Sequence, residues 1–280
     1  MKYLFILGRN PKLSLAEITF YFEKINNPIL DIKKNKNAIL VEIKKELEKK
    51  VIENFGGVIS IGKIISSGKL NEVVNDLDNK TLYFGKENKL NYYLWNFTID
   101  SSIDEISSYL KKRFRSEKLK ATEKKSSGEM ILQDKTKVPV LSSKKLIGKE
   151  FFLFKINNIE YFGTIIEKCD YNKLEKRDMN KPVRREELSI SPRLAKIMIN
   201  LSKIKNEEKL LDCFCGIGVI LQETLLQKIK VIGIDADRNT INDARKNLKW
   251  FGFKEENYKL IVGDSTKINP GNFDCIVTEP

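Results

Sequence analysis

The chain has 280 residues, 41% of them hydrophobic, which is enough to build buried cores and argues for two or three domains rather than a disordered chain. Its 51 lysines and arginines against 38 acids leave a net charge of +13, a surplus that suits a polyanionic partner, although abundant Lys, Asn and Ile are also what an A+T-rich genome produces. There is no apolar run of roughly 18 residues to span a membrane as a helix. The apolar start, Met1 to Gly8, is too short for a secretory signal, so a cytoplasmic protein is expected.

Histidine is absent, and of the four cysteines only Cys213 and Cys215 are close together, with no CxxC pair. A zinc framework or a disulfide scaffold is therefore not expected, nor is any metal, and the missing histidines exclude any Ser-His or Cys-His nucleophile. Chemistry must rest on carboxylates, lysines, hydroxyls or positioning.

Residues 1–65 read as a small α/β unit. Tyr3 to Leu7 predicts a strand, Ser14 caps a helix over Leu15 to Lys24 with Glu17 at capping-box spacing, and Ala38 to Ile43 predicts a second strand. A second helix over Leu47 to Phe55, ended by Gly56-Gly57, and a strand from Val58 to Ile65 complete a pattern that resembles a ferredoxin-like fold.

Residues 66–168 form a second unit, with strands at Asn91 to Ile99, Val138 to Leu141, Phe151 to Ile156 and Ile159 to Ile165, and a helix over Ile103 to Phe114. Between residues 111 and 125 lie eight basic residues and two acids, a local charge of +6. Such a run is either a solvated face or a phosphate-binding patch; Lys111, Lys112, Arg113, Arg115, Lys124 and Lys125 are its candidates for contact with RNA. Residues 169–188 are polar and without periodicity, which predicts a linker, and Arg184 and Arg185 within it are further RNA candidates. Ser191-Pro192 then opens a helix over Arg193 to Leu201.

Residues 189–280 alternate strand and helix, which predicts a doubly wound parallel sheet with ligands at the carboxyl ends of its strands. Leu210-Leu211 leads into Asp212-Cys213-Phe214-Cys215-Gly216-Ile217-Gly218, and Val219 to Gln227 is helical. Lys230 to Ile234 ends in Asp235-Ala236-Asp237, Thr240 to Trp250 is helical, Tyr258 to Val262 ends in Gly263-Asp264-Ser265, and Phe273 to Val277 ends in Thr278-Glu279-Pro280. Gly216 and Gly218 allow a ligand close to the backbone, Asp235 is placed for ribose hydroxyls, and Asp264 for an adenine amine. A nicotinamide site would want a third glycine where Leu221 stands, and Asp212 suits a ligand with a cationic end better than a pyrophosphate.

The segment from Asp212 to Gly218 resembles the first cofactor motif of amino-methyltransferases with the pattern D-P-F-C-G-x-G. The stretch from Arg177 to Arg185 with Ser191 to Leu201, and the opening Tyr3 to Pro11, are similar to archaeal-type tRNA guanine-N2 methyltransferases. The resemblance implies an N-terminal ferredoxin-like domain, a THUMP domain and a Rossmann-type catalytic domain. It further implies S-adenosylmethionine as cofactor, held by Asp212, Cys213, Phe214, Gly216, Gly218, Asp235, Ala236, Asp264 and Ser265, and a tRNA base as substrate, with a monomer expected. The family's tetrapeptide (Asp/Asn)-Pro-Pro-Tyr corresponds here to Thr278, Glu279 and Pro280, after which the chain stops. Those three residues are the catalytic candidates, and the expectation is a truncated domain without methyl-transfer activity. A DNA amino-methyltransferase and an inactive RNA-binding fragment are the alternatives.

Overall fold

The computed structural model describes residues 1–98, 101–125, 128–131, 137–140, 147–185 and 190–280. Ile99, Leu141 and residues 186–188, parts of the expected strands and linker, lie outside these. The chain is α/β throughout and divides into two compact units: Met1–Arg9 with Leu30–Ile43 and Ile59–Lys168, and Asn10–Ile29 with Lys44–Val58 and Cys169–Pro280.

The first unit is built on an eight-stranded sheet of order β2-β3-β1-β4-β10-β9-β5-β6. Its strands are β1 (Lys2–Leu7), β2 (Ile29–Asn35), β3 (Ala38–Ile43), β4 (Val58–Gly68), β5 (Lys89–Asn96), β6 (Lys120–Glu123), β9 (Lys149–Ile156) and β10 (Ile159–Lys168). A separate antiparallel pair joins β7 (Gly128–Ile131) and β8 (Lys137–Val140). Strands from residues 1–65 and from 66–168 thus share one sheet. Helices α2 (Leu70–Asp78) and α3 (Ile103–Ser116) cover one face, where Val73, Leu77, Ile106, Leu110 and Phe114 pack on Tyr92, Phe151 and Phe162. Side-chain alternation along each strand sends Leu4, Leu40, Phe152, Phe154 and Tyr161 to a second cluster on the opposite face.

The second unit holds a four-stranded parallel sheet of order β13-β12-β11-β14, from β11 (Lys209–Asp212), β12 (Lys230–Asp235), β13 (Tyr258–Val262) and β14 (Cys275–Ile276). This reversal of strand order on either side of β11 is the Rossmann pattern, and it sets the tips of β11, β12 and β14 side by side. Helices α5 (Pro192–Leu201), α6 (Val219–Leu226) and α7 (Arg238–Trp250) share one core with Leu210, Val231 and Val277, while Leu211, Ile232 and Ile234 form the core of the other face.

Three expectations need correcting. Helix α1 is Pro11–Lys24: it begins a turn before Leu15, and Asn10, not Ser14, is its cap, accepting from the Leu13 amide at 3.2 Å. The helix expected over Leu47 to Phe55 is only a 3-10 turn, Val51–Asn54. The expected linker contains a helix, α4 (Tyr171–Met179), capped by Asp170.

Buried polar groups bear on the last two. Glu17, fully buried on α1, does not close a capping box. Its carboxylate accepts from the amides of Gly56 and Gly57 at 2.7 and 2.8 Å and from Asn200 of α5 at 2.9 Å. Those contacts hold the chain at Gly56-Gly57 in place of further helix. Lys196 of α5 donates to the Glu53 carbonyl at 2.6 Å, and Arg193 donates to the Gly56 carbonyl at 2.6 Å. Arg177 of α4 reaches Glu223 of α6 at 2.7 Å, and Glu223 is only 2% exposed. Burial raises the carboxyl pKa of both Glu17 and Glu223, while the donors and cations around them pull it back down.

Glu17→Ala would orphan two buried amides and Asn200, and should cost about 3–5 kcal/mol in the second unit. Hydrogen exchange at the amides of Gly56 and Gly57 reads this directly; protection within 1 kcal/mol (roughly, on the same scale) of the parent would show that the carboxylate holds nothing.

Candidate functional site

Local sequence builds the site in three pieces. β11 ends in Asp212, and the chain turns through Gly216 at φ +51° and Gly218 at φ +87° before α6 begins. Both angles lie in the left-handed region where glycine costs least, and nothing lies within 4 Å of where a side chain on Gly216 would start. β12 ends in Asp235, whose Oδ2 accepts from the Gly216 amide at 3.0 Å and whose Oδ1 accepts from the Asp237 amide at 3.0 Å. Asp237 then caps α7 through Asn239 and Thr240. After β14, Val277 still pairs with Leu211, and Thr278 follows beside the tip of β11.

The pieces meet at Asp212. This carboxylate is 1% exposed, and its Oδ1 accepts from the Thr278 hydroxyl at 2.6 Å and from the Phe214 amide at 3.2 Å. The Thr278 hydroxyl accepts in turn from the same Phe214 amide at 3.1 Å. Among the described residues no donor pairs with Oδ2 of Asp212. Burial pushes the Asp212 pKa up to about 6; the bonds from Thr278 and Phe214 lower it, and the charges of Asp235 and Glu279 raise it again.

The expected cofactor residues Asp212, Cys213, Phe214, Gly216, Gly218, Asp235 and Ala236 are therefore brought together around one turn. Asp264 and Ser265 follow β13, tied to the tip of β12 by the Gly263 amide, which donates to the Asp235 carbonyl at 2.9 Å. Asp264 is engaged locally, accepting from the Thr266 amide at 3.0 Å and pairing with Lys267 at 3.1 Å. Cys215 is a packing residue, buried with its thiol pKa raised by burial, so it is no nucleophile. Phe214 stands out from the turn, 49% exposed. Of the catalytic candidates, Thr278 turns its hydroxyl onto Asp212, whereas Glu279 and Pro280 are exposed.

The basic candidates are divided between the two units. Lys111–Lys125 belong to the first unit, Arg184 and Arg185 to the second. Within the run, α3 ends at Ser116 and β6 takes Lys120–Glu123. Arg113 braces the fold, its guanidinium bonded to Glu117 at 2.7 Å and to the Asp78 carbonyl at 2.8 Å, with 18% of its side chain exposed. Lys111 pairs with Glu123 at 3.1 Å; Lys112, Arg115 and Lys125 are exposed, and Lys124 is half-buried. Arg185 lies 3.6 Å from Asp243 of α7, and Arg184 is half-buried.

One residue of the site went unnoticed in the sequence. Asn247 of α7 is fully buried, donates to the carbonyls of Val183 and Ile217 at 3.1 Å each, and accepts from the Val183 amide at 3.0 Å. It pins the glycine turn to the segment before α5. Its signal was an amide on the apolar stripe Ile241, Ala244, Leu248.

Residues 204–279 match the family model for a methyltransferase domain. The chain is similar to the tRNA (guanine(10)-N2)-dimethyltransferase of Pyrococcus abyssi, at 36% identity over 115 residues, covering 40% of this chain and 32% of that protein. It is also similar to the protein of the same name from Methanothermobacter thermautotrophicus, at 38% over 93 residues, covering 33% and 27%. The chain thus spans about a third or less of the length of these curated relatives. The crystal structure of TrmN from Thermus thermophilus superimposes with a TM-score of 0.54 over 100% of this chain and 79% of that one, at 13% identity, and so shares the fold. These relatives carry the name of the family that the stretches Arg177 to Arg185, Ser191 to Leu201 and Tyr3 to Pro11 resemble.

The raised pKa of Asp212 gives the second unit a distinct pH response. The folded carboxyl keeps its proton to about pH 6, whereas an unfolded one releases it near the ordinary value of 3.8. The folded state therefore binds more protons between these limits, and stability falls as pH rises through the window. Asp212→Asn should abolish that fall and be the more stable form at pH 7.5, by about 1–3 kcal/mol. Urea unfolding at several pH values measures it; a variant weaker than the parent at pH 7.5 would refute the assignment.

Proposed function

We propose that this protein transfers a methyl group from S-adenosylmethionine to tRNA, at the exocyclic N2 amine of a guanine. The carrying observation is the single cluster made by Asp212, Asp235, the Gly216–Gly218 turn and Thr278 at three strand tips. The residues present fit that cofactor. There is open space over Gly216, Asp212 presents an unpaired Oδ2 suited to a cationic group, and Asp235 keeps lone pairs for hydroxyls after accepting from two amides. When bound, the cofactor supplies an electrophilic methyl group on a sulfonium.

The chain's own residues hold and orient. Asp212 and Asp235 bind through carboxylates; Thr278, bonded to both Asp212 and the Phe214 amide, fixes the segment after β14 against the glycine turn. Thr278 is a positioning residue in this arrangement, with Glu279 next to it in solvent as the acceptor for the target amine. The exposed ring of Phe214 excludes water beside them. Catalysis of this kind is chiefly positioning, since the displacement needs no further covalent help.

Residues 66–168, with exposed Lys112, Arg115 and Lys125, are read as a THUMP-like module that carries tRNA in the cytoplasm, after a ferredoxin-like stretch over residues 1–65. The relatives' names specify guanine 10, which is the first position to examine. A DNA amine as target is disfavoured, because the named relatives act on tRNA.

Two measurements test the reading. Asp235→Ala should weaken S-adenosylmethionine binding by roughly 1.5–3 kcal/mol in calorimetry, the range of a charge-assisted bond; unchanged affinity would remove Asp235 from the site. In cells lacking the protein, tRNA should lose an N2-methylated guanine at one position by nucleoside mass spectrometry, and loss of a different modified nucleoside, or of none, would overturn the choice of substrate.

A further inference from the structure

Helix α7 presents Arg238, Asn242, Arg245 and Lys249 to solvent at steps of four, three and four residues, with Lys246 and Trp250 alongside them. That spacing lines them along one face of the helix, over about 16 Å of its axis. Within α7 four cations stand against a single acid, Asp243. Among the described residues no carboxylate pairs with Arg238 or Arg245. Lys246 and Lys249 do have partners, Asp243 at 3.0 Å and Glu255 at 3.2 Å, but these are exposed pairs worth about 0–1 kcal/mol each and yield readily to a phosphate. Asn239, Asn242, Asp243, Arg245, Lys246 and Lys249 line a shallow cleft of about 410 Å³ on this face.

Trp250 closes the row. It is 47% exposed and meets Phe251 edge to face at 5.0 Å. A tryptophan set in water beside cations offers what a nucleotide needs, a π surface for the base next to charges for its phosphates. A docked protein would want a contiguous apolar patch, and this face has one aromatic among charged and amide side chains.

We infer that this face of α7 is an RNA contact surface on the methyltransferase domain itself, with phosphates on Arg238, Arg245, Lys246 and Lys249 and an unpaired base stacked on Trp250. The inference rests on the tRNA reading above and adds to it where the RNA lies.

Filter binding of the full chain to tRNA across a salt series tests it, with calorimetry against S-adenosylmethionine on every variant. Arg245→Gln with Lys249→Gln should flatten the dependence of log K on log salt by about 1.4–1.8, the loss of two phosphate contacts. Trp250→Ala should weaken binding roughly five-fold or more at every salt concentration, and Trp250→Phe should restore most of it. Cofactor affinity should be the parent's in all three. Slopes and affinities equal to the parent's would make this a solvated face and overturn the inference. A variant that loses cofactor affinity together with tRNA would overturn it as well, by showing that these side chains hold the domain. If the parent binds the cofactor but no tRNA, the surface and the tRNA reading fall together while the cofactor site stands.

Discussion

A carboxylate that is buried at a strand tip has to find donors, and Asp212 finds them in two parts of the chain far apart in sequence. The Phe214 amide comes from its own turn, the Thr278 hydroxyl from beyond β14. Compensating the buried charge therefore draws the turn and the β14 tail into one place. The compensation is incomplete: among the described residues one oxygen lacks a donor, and the proton is held to about pH 6. A group so placed is unfavourable for the fold taken alone. Asp235 differs in kind. It sits half-exposed and bonds back to Gly216, so the two acids fix opposite ends of the same turn, one from β11 and one from β12.

Much of this domain was legible in the sequence because its signals are local. Tyr258–Val262 and Ala38–Ile43 were read to the residue, and the helix after Ser191-Pro192 begins where that cap dictates. Apolar runs of strand length, helical spacing and acidic residues at strand ends are visible in short windows. What failed was non-local. Glu17 carries the spacing of a capping box, and nothing within ten residues (about a helix length) reveals that its partners are Gly56, Gly57 and Asn200. The polar segment around Arg177 looked like linker because its one decisive contact, buried Glu223, lies in a later helix. Arg113 was grouped with its basic neighbours although its partners at Asp78 and Glu117 make it part of the frame. Charge and period cannot tell a brace from a binding group; only the partner's position can.

The same buried contacts decide where one unit ends and another begins. Asn10–Ile29 and Lys44–Val58 belong with Cys169–Pro280, although the strands interleaved with them in sequence belong elsewhere. Glu17, Glu53 and Gly56 supply the polar side of that attachment and meet Arg193, Lys196 and Asn200 of α5. The second unit is thus assembled from three stretches of chain, and the match to the methyltransferase family model, residues 204–279, falls within the last of them.

This arrangement has a consequence for the chain as it leaves the ribosome. Helix α1 is made early, but the donor that completes the Glu17 site, Asn200, lies 183 residues later. At about 5–20 residues per second the partner emerges roughly 9–37 s after the carboxylate. Through that interval α1 and the segment up to Val58 wait with their contact face unmatched, while the strands between them have already been made and can pair. Synthesis order and assembly order are inverted for this part of the molecule, and the nascent chain's exposure to chaperones and to self-association is set by how long α5 takes to arrive.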